Sequence, residues 1–301
     1  MKRITSDKVI YSFKVEMKPV ERVLPGEIFE VETNDCFYGQ IKREDQLITE
    51  VDFSKINPAT GPIYVEGAQP GDILKVEILK IELPERGVIV TVPGEGILGN
   101  MVKSAKTNIV KIKKDFCYFN DIKIPTNPMI GVIGVAPSRK DGEYPTGSPW
   151  KHGGNMDTKD ITNGSTLYFQ VNQDGALLAL GDCHAVMGDG EVCVAGCEIN
   201  SKVILKVDLI KNKKIKWPIV ETENSWMIIA SGKNLEEASK EAVENAVEYL
   251  MKGLNLSWDD AYMLSSMVLD LKISQVVDPN KTVRVSIPKK ILTVDEVFEK
   301  L

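Results

Sequence analysis

Short stretches of apolar–polar alternation, each closed by a turn-forming dipeptide, recur along most of this chain and constrain it to a β-rich fold. Val9, Tyr11, Phe13 and Val15 alternate at period two, as do the segments 28–33, 73–83 and 203–209. Alternation of that period places one apolar face against a core and one polar face in water, which is the pattern of a strand and not of a helix. Pro25-Gly26, Pro70-Gly71, Pro93-Gly94 and Asp174-Gly175 punctuate the strands with fixed or positive φ. Many short strands at this spacing predict a mostly β, sandwich-like architecture of antiparallel strands.

Two helices are expected in the C-terminal region. Asn234 with Glu237 three residues on forms a helix start, and Leu235, Ala238, Ala242, Ala246, Val247 and Leu250 form its apolar stripe. Gly253 is the expected stop. Ser257, followed by Asp259 and Asp260, opens a second helix through Tyr262, Leu264, Met267, Val268 and Leu271, with that stripe expected to face the core. The 301 residues suffice for a large core, and the expectation is one domain over 1–301.

Composition removes several function classes. Hydrophobic residues are 43% and charged residues 27%, values of an ordinary globular protein. No apolar run approaches the ~20 residues that span a bilayer, and residues 1–7 lack the apolar core of a signal peptide, so a cytoplasmic protein without a membrane partner is expected. The net charge is −6, and the basic clusters 111–114 and 211–216 carry no interleaved aromatics. They are expected as solvated turns, with no nucleic-acid partner. Five cysteines without a C-x-x-C pair point to reduced thiols, with Cys193 and Cys197 packing as small hydrophobes.

Against this background the only two histidines stand out, because both lie in glycine-rich acidic segments: His152-Gly-Gly-Asn-Met-Asp157 and Gly181-Asp-Cys-His184-Ala-Val-Met-Gly-Asp-Gly-Glu191. Glycine permits close backbone approach, and neutral imidazole with carboxylates suits zinc or a similar divalent cation. In an extended strand 177–184, Leu178, Leu180, Asp182 and His184 share a face while Cys183 points away as packing. A strand resuming over 191–199 would return antiparallel and bring Asp189 and Glu191 to His184. Asp35 and Glu66, in turn-rich segments, read by themselves as surface carboxylates at strand ends.

The segments 31–35, 57–72, 152–157 and 181–191, in this order, resemble those of the acetamidase/formamidase family, which hydrolyses short-chain amides to carboxylate and ammonia. The resemblance implies a β-sandwich with a divalent metal, zinc favoured and calcium the second choice. It points to Asp35, Asp157, Asp182 and His184 around the metal, with His152 as a further ligand or hydrogen-bond donor behind it. Glu66 and Glu191 become the candidate acid/base groups. The implied partner is a small amide such as formamide or acetamide, and the implied chemistry is attack by a metal-activated water. A homodimer or larger homo-oligomer is expected, as for many soluble enzymes.

Two alternatives carry different chemistry. Amidases with a Ser-Ser-Lys or Glu-Lys-Cys arrangement act through an acyl-enzyme, but no Gly-Gly-Ser-Ser run is present and Ser265-Ser266 falls in a helix. A non-catalytic β-sandwich holding structural calcium would use the aspartates and glycines. Two histidines fit that hard, all-oxygen site poorly.

Overall fold

The computed structural model describes residues 1–301 and contains two large sheets and three helices. A nine-stranded sheet runs from Lys2–Ile4 at one edge, through Ile28–Thr33, Ser201–Ile210 and Ile73–Ile81, to Asp270–Gln275 at the other. An eleven-stranded sheet has Leu178–His184 in its interior, paired antiparallel with Met129–Gly134 on one side and with Ala59–Val65 and Glu198–Ile199 on the other. The mostly β, largely antiparallel fold expected from the alternation is what the chain adopts.

The inner faces of the sheets meet in one apolar core. Val31, Val76, Val203 and Leu205 come from the first sheet, and Ile63, Ile130, Leu178 and Leu180 from the second. The outer face of the nine-stranded sheet is covered by helix α1, Leu235–Leu254, with α2, Trp258–Val268, and α3, Val294–Lys300. Strand Ser225–Gly232 is therefore apolar on both sides, with Met227 and Ile229 in the sheet–sheet core and Trp226, Ile228 and Ala230 under the helices. That double burial explains its continuous hydrophobic run.

The helix starts follow the capping chemistry. Asn234 accepts from the Glu237 N–H at 2.9 Å, and Ser257 accepts from the Asp260 N–H at 3.1 Å. Four details differ from the sequence reading. Helix α1 ends at Asn255, in the left-handed region at φ 53°, and not at Gly253, whose missing Cβ makes room for Leu292. The expected core stripe of α2 is largely outside, with Tyr262 51% and Met267 81% exposed, because α2 buries only Ala261 and Ser265. Helix α3 was not anticipated, although Thr293 and Glu296 form a reciprocal capping box. The alternation from Val9 to Val15 is divided into Val9–Ile10 and Ser12–Phe13, which pair with different strands.

Candidate active site

Strand Leu178–His184 carries the site at its C-terminal end, where its regular alternation breaks. Leu178 and Leu180 pack in the sheet–sheet core, but Asp182 takes a left-handed φ of 52°, and Gly131 opposite it drops out of the pairing register. The irregularity shifts the parity by one. Cys183 joins Leu180 in the core, its thiol pushed up to about 12 by burial, and His184 projects from the other face. Cys183 thus packs as expected, while the shared face proposed for Leu180 and His184 is corrected.

The strand expected over 191–199 is reduced to Glu198–Ile199, paired with Cys183 and His184 in the register His184↔Glu198. Residues 191–197 form an irregular loop with Glu191 at φ 46° and Val194 at φ 82°. Consequently Glu198 is the carboxylate directly across from the imidazole. Its Oε2 lies 3.1 Å from His184 Nε2, and its Oε1 accepts the Gly196 N–H at 2.9 Å. Asp182 Oδ1 lies 3.5 Å from the same Nε2.

Asp157 follows strand Gly153–Asn155 and also has a positive φ, 39°. Asp157, Asp182 and Glu191 are thus all held in a backbone conformation that side chains disfavour, a strain that concentrates at functional sites. Two glycines make room for the cluster. A Cβ on Gly131 would collide with Asp157 Oδ1 and come within 2.7 Å of Asp182 Oδ2, and one on Gly196 would come within 2.6 Å of His184 Nδ1.

Two adjacent triads result. One ligand-capable atom from each of Asp157, His184 and Glu191 lies within 4.8 Å of the others, and the same holds for Cys36, Asp182 and Glu198. Both carboxylate oxygens of Asp157, both ring nitrogens of His184, and Oδ1 of Asp182, Oε2 of Glu191 and Oε2 of Glu198 are buried without a hydrogen-bond partner. Asp278, from the turn after Asp270–Gln275, adds a further buried carboxylate with an unpartnered Oδ2. The Gln275 side chain holds that turn by accepting the N–H groups of Val277 and Asp278.

Unpaired buried charge of this density is costly, and the proton affinities show it. Burial, then Glu191 and Asp182, pushes the Asp157 carboxyl well above the usual carboxylate range. Glu191, Glu198 and Asp278 are displaced in the same direction, burial again being the largest cause. Burial opposes the charged form of His184, but Glu198 and Asp182 outweigh it and hold the imidazole well above its ordinary value. Asp157, Glu191, Glu198 and Asp278 therefore hold protons more tightly than isolated carboxylates do. A divalent cation at these donors would take the place of those protons, so the residues present fit the metal that the resemblance implies.

The other expected site residues are placed differently. Asp35 lies beside the cluster, close enough for Asp182 to raise its affinity for a proton after burial has done so, but its Oδ1 accepts the Gly39 N–H at 2.7 Å and closes its own turn. Glu66 lies outside the cluster, its side chain 40% exposed and paired with Arg22 at 2.9 Å. His152 is buried between Tyr144 and Phe13, each with ring centroids 4.9 Å from its own, and belongs to neither triad. Asp189 turns away to Arg284 and Lys159. Sequence reasoning missed Glu198, Asp278 and Cys36. A lone glutamate within the small and apolar run Val194-Ala-Gly-Cys-Glu-Ile199 was a usable signal for the first. Nothing local marks the other two.

Of the cluster, Asp182, Glu191, Glu198 and Asp278 line a cavity of about 300 Å³ and form its acidic floor, with Asn57, Glu95 and Asn155 as its other polar lining. Phe37, Ile48, Phe53, Ile56, Val90 and Val92 give it apolar walls. An acidic floor with apolar walls, beside titratable groups shifted by burial and by one another, is the arrangement that an enzyme active site presents.

Comparison with known proteins agrees. The acetamidase/formamidase family model matches residues 4–144 and 141–294. An acetamidase structure from Bacillus halodurans is 42% identical, with a TM-score of 0.93 over 97% of this chain and 100% of that one. A predicted acetamidase/formamidase from Thermoanaerobacter tengcongensis is 46% identical, with a TM-score of 0.95 over 100% of this chain and 98% of the other. The formamidase of Methylophilus methylotrophus is 28% identical across 93% of this chain and 88% of its own length. The chain belongs to the acetamidase/formamidase family and is a hydrolase of amide C–N bonds.

Proposed function

We propose that this enzyme hydrolyses primary amides, R–CO–NH₂ + H₂O giving the carboxylate and ammonium, with a divalent cation held by Asp157, His184 and Glu191. The observation that carries the proposal is the close approach of those three buried side chains, whose ligand atoms lie within 4.8 Å of one another and lack hydrogen-bond partners. One imidazole with two carboxylates suits zinc better than calcium, which prefers an all-oxygen shell. Such an ion supplies a Lewis acid for the amide carbonyl and lowers the pKa of a nearby water. Glu191, expected as an acid/base group, takes the role of a ligand in this proposal.

Glu198 then takes the proton-carrying role. The Gly196 N–H pins one of its oxygens, and the other faces His184, so the carboxylate is held in a fixed direction on the cavity wall. It accepts a proton from the attacking water and delivers it to the departing nitrogen, because ammonia leaves far more readily than amide anion. Asn155 offers a buried Oδ1 without a partner at the same cavity, an acceptor for the substrate N–H. Asp182 lies 3.5 Å from the same His184 ring nitrogen that Glu198 faces and helps to orient the ring.

The test is ammonia release from formamide and acetamide by purified enzyme, before and after chelation, with metal content measured on the same samples. Turnover that falls on chelation and returns with one ion supports the reading. Turnover that survives complete metal removal overturns it.

A further inference from the structure

The cavity above the acidic floor is larger than formamide or acetamide requires. Acetamide has four non-hydrogen atoms, and at the ~30 Å³ that a water molecule occupies in the liquid it fills about 120 Å³. The cavity is about 300 Å³. Even with one water beside the substrate, room remains for a further chain of about four or five carbon atoms. That extra space has apolar walls. Phe37 and Val90 belong to a small buried cluster of their own, packed by Ile48, Ile56 and Val92, and Phe53, on a short 3-10 turn, is 64% exposed.

We infer that the preferred substrates of this enzyme are neutral amides whose acyl group is a medium-length alkyl chain or a single aromatic ring, seated against Phe37, Ile48, Ile56, Val90 and Val92. The inference rests on the amide-hydrolase reading of the same cavity and adds the identity of R. Apart from Asn57, Glu95 and Asn155, the lining outside the acidic cluster is apolar, so the distal part of the substrate meets mainly apolar side chains. An uncharged acyl group leaves water for the walls, and the apolar surface it buries favours its binding. An acyl group ending in a carboxylate would meet Glu95 on the cavity wall and the acidic floor, and is excluded by like charge. Bond making and breaking are unchanged: the carbonyl carbon gains the water oxygen, the C–N bond breaks, and nitrogen leaves with the transferred proton as ammonia.

The experiment is kcat/KM for formamide, acetamide, butyramide, hexanamide, benzamide and succinamate on the metal-loaded wild-type enzyme, read as ammonia. The expected result is a rise of about fourfold per methylene from acetamide to butyramide, equivalent to ~0.8 kcal/mol each, with hexanamide and benzamide above acetamide and succinamate below butyramide. A kcat/KM that falls steadily with chain length beyond acetamide overturns this inference and leaves the amide reading standing. No ammonia from any member overturns both. A second measurement fills the space: Val92→Phe should lower the hexanamide-to-acetamide ratio at least tenfold, and an unchanged ratio places the acyl group elsewhere. The wild-type series stands alone if that variant does not fold.

Discussion

Oε2 of Glu198 lies 3.1 Å from Nε2 of His184, across the two-residue strand pairing that joins Glu198–Ile199 to Leu178–His184. The pairing register sets this contact, so the carboxylate reaches the imidazole without an ordering cost at the moment of reaction. The same strand end carries Asp182, and Glu191 arrives on the loop between the two strands.

From that geometry, Glu198→Gln should lower kcat for acetamide by about 10²- to 10⁴-fold, the usual contribution of a positioned acid/base group, with metal content unchanged. Glu66→Gln should leave turnover within about twofold of wild type, because Glu66 only pairs with Arg22 at the surface. Steady-state kinetics beside metal analysis separates the two. Full activity in Glu198→Gln removes the proton-carrying role.

Gly131 is held to glycine by the carboxylates that pass over it. A Cβ there would meet both Asp157 and Asp182, so Gly131→Ala should weaken metal binding by about 10- to 100-fold, as changes behind metal ligands do. Metal titration of the stripped protein checks this, with circular dichroism showing that the sheets persist.

Cys36 lines the cavity within reach of Asp182 and Glu198, a position that invites a covalent mechanism. Burial, then Asp182 and Glu198, pushes its thiol well above its ordinary value, so the thiolate does not form at neutral pH. Cys36→Ser should keep turnover within about tenfold, against the roughly 10⁶-fold loss that follows removal of a true nucleophile. Kinetics of the variant and of alkylated wild type decide the matter.

His152 carries a pH dependence of stability. Burial lowers its pKa to about 3, so the folded chain keeps the ring neutral while the unfolded chain protonates it near 6.5. The stabilisation is fully present above about 6.5 and is lost progressively as pH falls toward about 3. Between pH 7 and pH 5 this one residue should cost about 2 kcal/mol. Urea unfolding at both pH values should show a difference smaller by about that amount in His152→Phe, and equal differences would contradict the assignment.

Arg284 is 1% exposed, and its guanidinium serves Asp160, Asp189 and the Ile273 carbonyl. Through Asp189 it anchors the loop that carries Glu191. Arg284→Met would leave Asp160 unpaired and Asp189 with Lys159 alone, and should cost about 3 kcal/mol, the lower end for a broken buried pair because both aspartates keep some contact with water. Chemical denaturation measures the loss.

Much of this was readable in one dimension. Period-two alternation located the strands Ile28–Thr33, Ile73–Ile81 and Ser201–Ile210 within a few residues, and the side chains of Asn234 and Ser257 marked two helix starts. The acidic, glycine-rich segments around His184 and Asp157 pointed to the cluster for a chemical reason, since those residue types together suit a cation. His152 had the same local signature and lies elsewhere. Its ring is enclosed by Phe13 and Tyr144, which come from segments whose pairing no local pattern discloses.

Local residue chemistry by itself determined the β-rich class and the helix caps, and pointed to residues 150–198 as the place to seek function, because periodicity, capping and ligand type act over a few residues. Only the tertiary structure decided which side chains meet. One left-handed residue, Asp182, reverses the facing of everything after it in its strand, and a two-residue pairing places Glu198 opposite His184. Asp278 arrives from a turn some ninety residues beyond His184 in the chain. Contacts of that kind depend on register and sheet order, which the burial of two whole faces settles at once.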